Sequence, residues 1–399
     1  MTGEHLAPPI TSVGPVGWLR RNLFSTWYNS LLTVLVGAAL VALLIQVVQW
    51  ALAEARWGVV AANLRLFLIG LYPIDEAWRV GLSLAIFSSL AGLSAAVYAG
   101  SAIRTLAFAL AAGQLLLAGL AAVSALGPAV TFTLLLDAAL VWTAFLVGLR
   151  RPISRRAVTI AWLASVPISV VLLQGVGGAV LPVVSTNLWG GLLLTFLLAI
   201  VGIVASFPFG VLLALGRRSD LPAVRFLSTA YIELVRGVPL VTILFMAAIM
   251  LPLFLPGGVR IDQVYRAMAG ITLFSAAYVA ENVRGGLQAI PTGQIEAAHA
   301  IGLNAVQTNL YIVLPQALRS VIPANVGLFI SLLKDTTLVS IAAGLLELLG
   351  IGRAVLAQPQ WFGAHLEVYA FIAAVFFVLC YTMSQASYRL ERSLGVGTR

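Results

Sequence analysis

The amino-acid sequence predicts an all-α polytopic membrane protein with about ten transmembrane helices. Of its 399 residues, 61% are hydrophobic and 9% are charged, and the mean hydropathy is +1.03. A soluble domain usually carries about 25% charged residues. Apolar runs long enough to cross a bilayer recur along the chain. The net charge of +9 is almost entirely arginine between these runs, where topology signals lie, so it does not indicate nucleic-acid binding.

Five spans are predicted in the first half of the chain. Residues 1–28 read as a cytoplasmic tail, and residues 29–186 as a membrane region with apolar runs at 30–53, 80–98, 105–125, 130–149 and 158–173. The mixed stretch 54–78 carries charges and aromatic residues that suit a membrane interface.

Five more spans are predicted in residues 187–399. They cover 188–215, a segment ending near 255, 268–283, 326–346 and 366–384. The first of these would be about 42 Å long as one helix, so we expect its ends to protrude or the helix to tilt.

Basic clusters orient these spans. Arg20-Arg21, residues 150–156 and Arg217-Arg218 should be cytoplasmic by the positive-inside rule. One span, then two, then two more separate the N-terminus from residue 187, which places that residue outside. The loop 290–322 and both termini are then predicted to be cytoplasmic.

The loop 290–322 is too polar to cross the membrane and too long for a tight turn. Thr292 is a candidate helix N-cap, Gly302 is suited to end a short helix, and Asn304 with Gln307 resembles a capping box. Pro315 disturbs the backbone again. The loop is therefore predicted to form a short helix, a turn and a second helix on the membrane surface, where an external partner docks.

This loop also carries a family resemblance. Glu296-Ala297-Ala298, three residues, Gly302, nine residues and then Ile312-x-Leu314-Pro315 resemble the EAA signature of ABC importer permeases. The resemblance implies that the short helix is a coupling helix, which sits on a separate ATPase subunit and transmits its motion. The implied coupling residues are Glu296, Ala297, Ala298, His299, Ile301 and Gly302. His299 departs from the arginine that related loops often carry.

A second candidate site lies where an apolar helix is interrupted. Glu233 and Arg236 stand three residues apart and could pair on one helix face, while Gly237 and Pro239 break the helix. The segment could be an ordinary kink with a snorkelling arginine. The run 234–240 is also similar to the amino-acid-importer version of these permeases, which implies a position near the cytoplasmic gate.

The ninth apolar run is interrupted by four consecutive polar residues, Lys334, Asp335, Thr336 and Thr337. Charges inside a membrane are unfavourable and usually face a bundle interior or a cavity. Two interpretations stay open. Lys334 and Asp335 could pair locally to hold two helices together, or the group could line the substrate route, with Asp335 meeting an ammonium group.

The sequence indicates neither a metal site nor catalysis. Cys380 is the single cysteine, and His5, His299 and His365 are far apart without acidic or thiol companions. The only lysine, Lys334, lies outside any phosphate-binding Gly-rich motif, so ATP hydrolysis must come from a partner. We therefore predict a transport subunit, not an enzyme, with no cofactor of its own.

The resemblance covers about 187–392. It implies a five-helix type I permease core within 187–399, in a bacterial inner membrane, importing amino acids. The implied partners are a second permease that makes a heterodimer, two ATPases that use ATP and Mg, and an extracytoplasmic binding protein. The region 29–186 would be an extension outside this core. An ion-coupled secondary transporter or channel is the alternative that needs no ATPase, and a non-transporting scaffold is a third.

Overall fold

The computed structural model describes residues 14–98, 100–123, 127–256 and 259–395. These residues are predominantly helical, and no β-strand forms among them. The chain divides into two compact units, residues 1–57 and residues 58–399. The predicted boundaries at residues 28 and 186 are different from this division and stay predictions.

The first unit contains helix α1 (Gly14–Asn22) and helix α2 (Trp27–Gln49), which continues as a π turn, Trp50–Glu54. Thr26 caps α2 by accepting a hydrogen bond from the backbone N–H of Asn29. The first predicted span is confirmed, and none of the α2 residues is buried. Part of the predicted tail is therefore helical, while residues 1–13 lie outside the described residues.

The second unit begins with five helices, of which the last four match the second to fifth predicted spans. They are α3 (Gly58–Ile69), α4 (Trp78–Val97), α5 (Ser101–Ala122), α6 (Gly127–Arg150) and α7 (Arg155–Gln174). The interpretation of 54–78 as interface alone was incomplete. Val59 and Phe67 on α3 are buried in a hydrophobic cluster with residues after position 348, so α3 is an internal helix.

The remaining helices form the second half of the unit. They are α8 (Gly191–Arg217), α9 (Pro222–Arg236), α10 (Leu240–Phe245), α11 (Leu251–Phe254), α12 (Gln263–Gln288), α13 (Thr292–Ala300), α14 (Ala305–Gln307), α15 (Leu314–Ser320), α16 (Ile322–Asp335), α17 (Leu338–Ala342), α18 (Leu348–Leu356) and α19 (His365–Leu394). α12 packs along α8, and small residues allow the close approach. An added Cβ at Gly210 on α8 would overlap Val279 on α12.

Seven of the described helices are long and apolar enough to cross a membrane, and two bent pairs raise the number to nine. Residues 222–236 and 240–254 meet at 104°, and residues 305–320 and 322–335 meet at 56°. α12, the predicted eighth span, is not among the nine. The predicted ninth span was too long, because α16 ends at Asp335 and a new short helix starts at Leu338.

A buried arginine ties the loop after α3 to the loop after α7. Arg79 is fully buried. Its Nη2 lies 2.8 Å from a carboxylate oxygen of Glu76, and its Nη1 donates to the carbonyl of Pro182 at 2.9 Å. The hydroxyl of Tyr72 donates to the carbonyl of Leu173 at 2.8 Å. Burial raises the pKa of Tyr72, which keeps this donor protonated.

Gly175 allows this close packing. Its φ is +78°, and an added Cβ would overlap the carbonyl oxygen of Pro182. Gly177, two residues on, also has positive φ (+95°), but nothing lies within 4 Å of an added Cβ. Both glycines have positive φ, but only Gly175 has other atoms within 4 Å of an added Cβ.

We therefore expect Gly175→Ala to lower the thermal unfolding midpoint of the purified protein more than Gly177→Ala does. Positive φ alone costs a non-glycine residue about 1–3 kcal/mol at either position. Overpacking at Gly175 adds about 1–3 kcal/mol. Equal midpoints for the two variants would show that the Arg79–Pro182 contact does not confine the loop.

Candidate coupling and gating site

The coupling loop is built from local backbone rules. α13 begins directly after Pro291, which takes the cap position that we had predicted for Thr292. It ends at Ala300, and Gly302, two residues on, has a φ of +85°. The N–H of Gly302 bonds to the carbonyl of His299 at 3.0 Å, and the N–H of Leu303 bonds to the carbonyl of Ala298 at 3.1 Å. These two bonds form a Schellman motif, which requires a residue that accepts positive φ.

The second helix of the loop begins with the predicted capping box. The N–H of Gln307 donates to Asn304 Oδ1 at 2.9 Å, and the N–H of Asn304 donates to Gln307 Oε1 at 3.0 Å. α14 then widens into a π turn, Thr308–Val313, before Pro315 enters α15. The predicted helix, turn and second helix are all present.

One residue of the EAA triplet faces inward and the others face out. Ala298 is 3% exposed, and its helix packs against the π turn, where Val313 is also buried. The remaining predicted coupling residues are exposed, namely Glu296, Ala297, His299, Ile301 and Gly302. Ile301 is 76% exposed. The small side chain of Ala298 therefore faces the π turn, and the larger apolar side chain of Ile301 is exposed.

More apolar side chains extend this uncovered surface. Val306, Leu310 and Tyr311 are each at least half exposed, on the two segments that follow Gly302. Several large exposed apolar side chains within one short segment are typical of a protein or membrane interaction site. We name the group formed by Ile301, Val306, Leu310 and Tyr311 the loop patch.

The predicted gate residues lie at the sharp bend between α9 and α10. The N–H of Gly237 bonds to the carbonyl of Glu233 at 3.0 Å and ends α9, and Pro239 occupies the position before α10. The expected pair between Glu233 and Arg236 does not form. Instead, Glu233 pairs with Arg217 of α8, and Arg236 pairs with Glu281 of α12, because helix packing brings these side chains within reach.

These partners form an ion-pair cluster centred on Glu281 of α12. Glu281 Oε2 lies 3.5 Å from Arg217 Nη1 and 3.4 Å from Arg236 Nη1. Arg284 Nε donates to both carboxylate oxygens at 3.1 and 3.0 Å, and Arg284 Nη2 also contacts Oε1. Arg217 Nη2 reaches Glu233 Oε1 at 3.0 Å. One carboxylate therefore joins the ends of α8, α9 and α12.

An aromatic side chain supports the cluster from one side. The guanidinium carbon of Arg236 lies 5.6 Å from the centre of the Tyr278 ring, a cation–π distance. Sequence reasoning assigned Arg217 only a topological role and did not select Glu281 or Arg284. The available signal was the acidic and basic pair three residues apart in an otherwise apolar helix.

The Lys334 group lies away from this cluster. Asn325 of α16 accepts a hydrogen bond from Asn282, the neighbour of Glu281, and Lys334 lies about 14 Å further along α16. No salt bridge between Lys334 and Asp335 forms in the described part of the chain. Lys334 is exposed and Asp335 is half-buried. Thr336 and Thr337 direct their hydroxyls back to the carbonyls of Leu333 and Lys334, at 2.7 and 2.8 Å.

Among the described residues, no group of three or more His, Cys, Asp or Glu side chains could hold a metal ion. The candidate site consists of an ion-pair cluster, a bend and an exposed loop.

Replacing Glu281 by glutamine should destabilise the protein by about 1.5–3 kcal/mol. The change removes charge-assisted hydrogen bonds and leaves three arginines without their shared carboxylate. Glu233→Gln is the matched control, because Glu233 is 57% exposed and has one arginine partner, so its loss should cost less than about 1 kcal/mol. Thermal unfolding of both purified variants measures the difference. A Glu233→Gln effect as large as that of Glu281→Gln would contradict the central place of Glu281.

Comparison with known proteins assigns this chain to a family. Residues 206–394 match the family described as "Binding-protein-dependent transport system inner membrane component". The chain is 38% identical to the inner membrane amino-acid ABC transporter permease protein YhdY of Escherichia coli (strain K12), over 95% of this chain and 93% of that protein. It is also 38% identical to a glutamate/glutamine/aspartate/asparagine transport system permease protein of Rhodobacter capsulatus, over 98% and 97% of the two chains.

A solved structure of an amino acid ABC transporter with histidines is 30% identical to the chain, over 51% of this chain and 92% of that one, with a TM-score of 0.46. The two full-length relatives span both the permease half and the preceding helices. The chain is therefore a multi-pass inner-membrane protein that belongs to the family of permease components of binding-protein-dependent transport systems.

Proposed function

We propose that this chain is the membrane-spanning permease of an ATP-driven amino-acid importer, and that α13 is its coupling helix. The observation that carries the proposal is the EAA loop itself. Its backbone is locked by a Schellman motif and a capping box, and its outer surface is apolar and uncovered. The full-length relatives are described as amino-acid permeases, which supports the substrate class.

The loop patch would sit on a separate ATPase subunit. Ile301, Val306 and Tyr311 supply apolar contact area, and Glu296 and His299 supply polar contacts at its edge. His299 Nδ1 already contacts the carbonyl of Leu303 at 3.2 Å, so this ring is held in place. Two such ATPases would bind and hydrolyse ATP with Mg, since the sequence of this chain has no Gly-rich phosphate-binding motif.

Motion of the coupling helix would reach the membrane through α12. Only three residues separate the end of α12 at Gln288 from the start of α13 at Thr292. Leu287 on α12 and Val313 in the π turn belong to one buried hydrophobic cluster, with Ile295 of α13 packed against it. A push on α13 would therefore displace the end of α12 that carries Glu281.

The ion-pair cluster would act as the inner gate. While Glu281 holds Arg217 and Arg236, the ends of α8, α9 and α12 stay together. Opening towards the cytoplasm would require Glu281 to release these arginines. The bend at Gly237–Pro239 would serve as the hinge about which α9 rotates. Such an exchange between two packed arrangements is what alternating access needs.

The Lys334 group is a candidate part of the substrate route. An amino acid carries a carboxylate and an ammonium group, and Lys334 and Asp335 offer the opposite charges side by side without a salt bridge between them. Thr336 and Thr337 would contribute shape more than hydrogen bonds, because their hydroxyls are already engaged.

The family supports the remaining partners, and the basic clusters along the chain support the orientation. The loop patch and both termini would be cytoplasmic, with an extracytoplasmic amino-acid-binding protein docking on the opposite face. A second permease, similar or different, would complete the pathway. The alternative of an ion-coupled transporter would leave the loop patch without a role.

Ile301→Asp should abolish co-purification of the ATPase and reduce uptake at least tenfold, because a charge would be buried in the apolar contact. Val180→Asp is the matched control. Val180 is 83% exposed on the loop after α7, at the opposite end of the helices, so the same kind of change should leave ATPase binding intact.

Membrane insertion of both variants is checked by the amount of purified chain. If Ile301→Asp retains the ATPase and uptake, the loop patch is not the coupling surface. Uptake driven by a proton or sodium gradient in the purified chain alone would favour the alternative.

A further inference from the structure

A cluster of arginines lies at one end of helices α4 to α7, outside the coupling and gating site. The cluster consists of Arg104, Arg150, Arg151, Arg155 and Arg156. Tyr98 joins the two loops that carry it, because its hydroxyl bonds to the carbonyl of Arg155 at 3.1 Å and to Thr159 Oγ1 at 2.6 Å. Charge patterning predicts this end to be cytoplasmic.

Among the residues that the structure describes, no carboxylate pairs with the cluster. α19 reaches this end, where Arg389 bonds to Thr105, but its Glu391 accepts a hydrogen bond from Ser387 and from none of the five arginines. Between Glu76 and Asp220 the sequence contains one acidic residue, Asp137. Asp137 is buried in α6, about 20 Å along the helix from Arg150. Within the described residues none of the five arginines forms a salt bridge. Arg104 and Arg155 contact only aromatic rings and backbone at this end, since they lie 6.0 Å from Phe145 and Tyr98 respectively.

A groove of about 490 Å³ opens between α4 and α7 below the same loops. Its lining is mostly apolar and includes Leu82, Ile86, Leu90, Ala161, Ala164 and Ile168. The helices meet beside it, where Phe87 stacks on Trp162 and Trp162 Nε1 donates to Ser94 Oγ at 2.8 Å. The groove is therefore a shallow, open surface between two helices that contact each other through these side chains.

The groove lies below the arginine cluster at the depth where the acyl chains of a lipid begin. Along α7, Ala161 lies about 9 Å and Ile168 about 20 Å from Arg155. One leaflet contributes about 15 Å of hydrocarbon. A phosphate held by the arginines would thus place its acyl chains at the depth of the groove.

We propose that this surface binds an anionic phospholipid of the cytoplasmic leaflet, with its phosphate on the arginine cluster and an acyl chain in the groove between α4 and α7. The unbalanced positive charge selects an anionic headgroup, as basic pockets between transmembrane helices do. The apolar groove distinguishes a whole lipid from a soluble phosphate. The proposal does not rest on the transport function.

Native mass spectrometry of the delipidated full-length chain tests this proposal with phosphatidylglycerol and phosphatidylcholine of identical acyl chains. We expect phosphatidylglycerol to bind more tightly. Arg155→Gln with Arg156→Gln should weaken that binding about 25-fold, from about fivefold per arginine. The control pair Arg218→Gln with Arg225→Gln, also exposed and predicted cytoplasmic, should leave it unchanged.

A second pair of variants tests the groove. Ala164→Phe fills the groove and should weaken binding of phosphatidylglycerol, whereas Leu163→Phe changes a neighbouring side chain, 59% exposed, and should not. Inorganic phosphate at millimolar concentration should not compete. Equal binding of the two lipids, equal effects of the two phenylalanine variants, or full competition by phosphate would overturn the proposal. So would cross-linking of Ala164→Cys to a partner permease in the assembled complex.

Discussion

A single carboxylate, that of Glu281, connects the three helix ends on which the proposed mechanism depends. Arg217 at the end of α8, Arg236 at the end of α9 and Arg284 on α12 all contact it, and Arg236 directly precedes Gly237 at the bend. The cluster is only partly buried, since the Glu281 side chain is 22% exposed. In the proposed mechanism, such a partly solvated network would hold the helix ends together and still exchange partners.

The coupling loop depends on a different kind of constraint. Its shape comes from local backbone chemistry more than from burial: a proline before the first helix, a glycine with positive φ after it, and a reciprocal cap on the second. Ala298 is the one side chain of the EAA triplet that faces inward. The alanine is small enough to let α13 approach the π turn closely, and in the proposed mechanism this contact would transmit displacement of the helix.

The loop could be predicted from the sequence because each of its signals acts within a few residues. The same holds for the long apolar helices. The partners of Glu233 and Arg236 could not be predicted, because Arg217 and Glu281 are distant in sequence and meet only when α8 and α12 pack. α3 was missed because its buried side chains are shared with residues after position 348. The end of α16 at Asp335 was placed too late, because an apolar run does not reveal where its backbone turns.

The claim that the loop faces the cytoplasm and meets an ATPase is tested most directly by labelling one cysteine. Cys380→Ala removes the only native thiol, and Ile301→Cys places a new one at the most exposed apolar position of the loop patch. The account predicts that a membrane-impermeant maleimide labels this cysteine in inverted vesicles only, and that bound ATPase protects it. Labelling of residue 301 from the outside of intact cells would contradict the account.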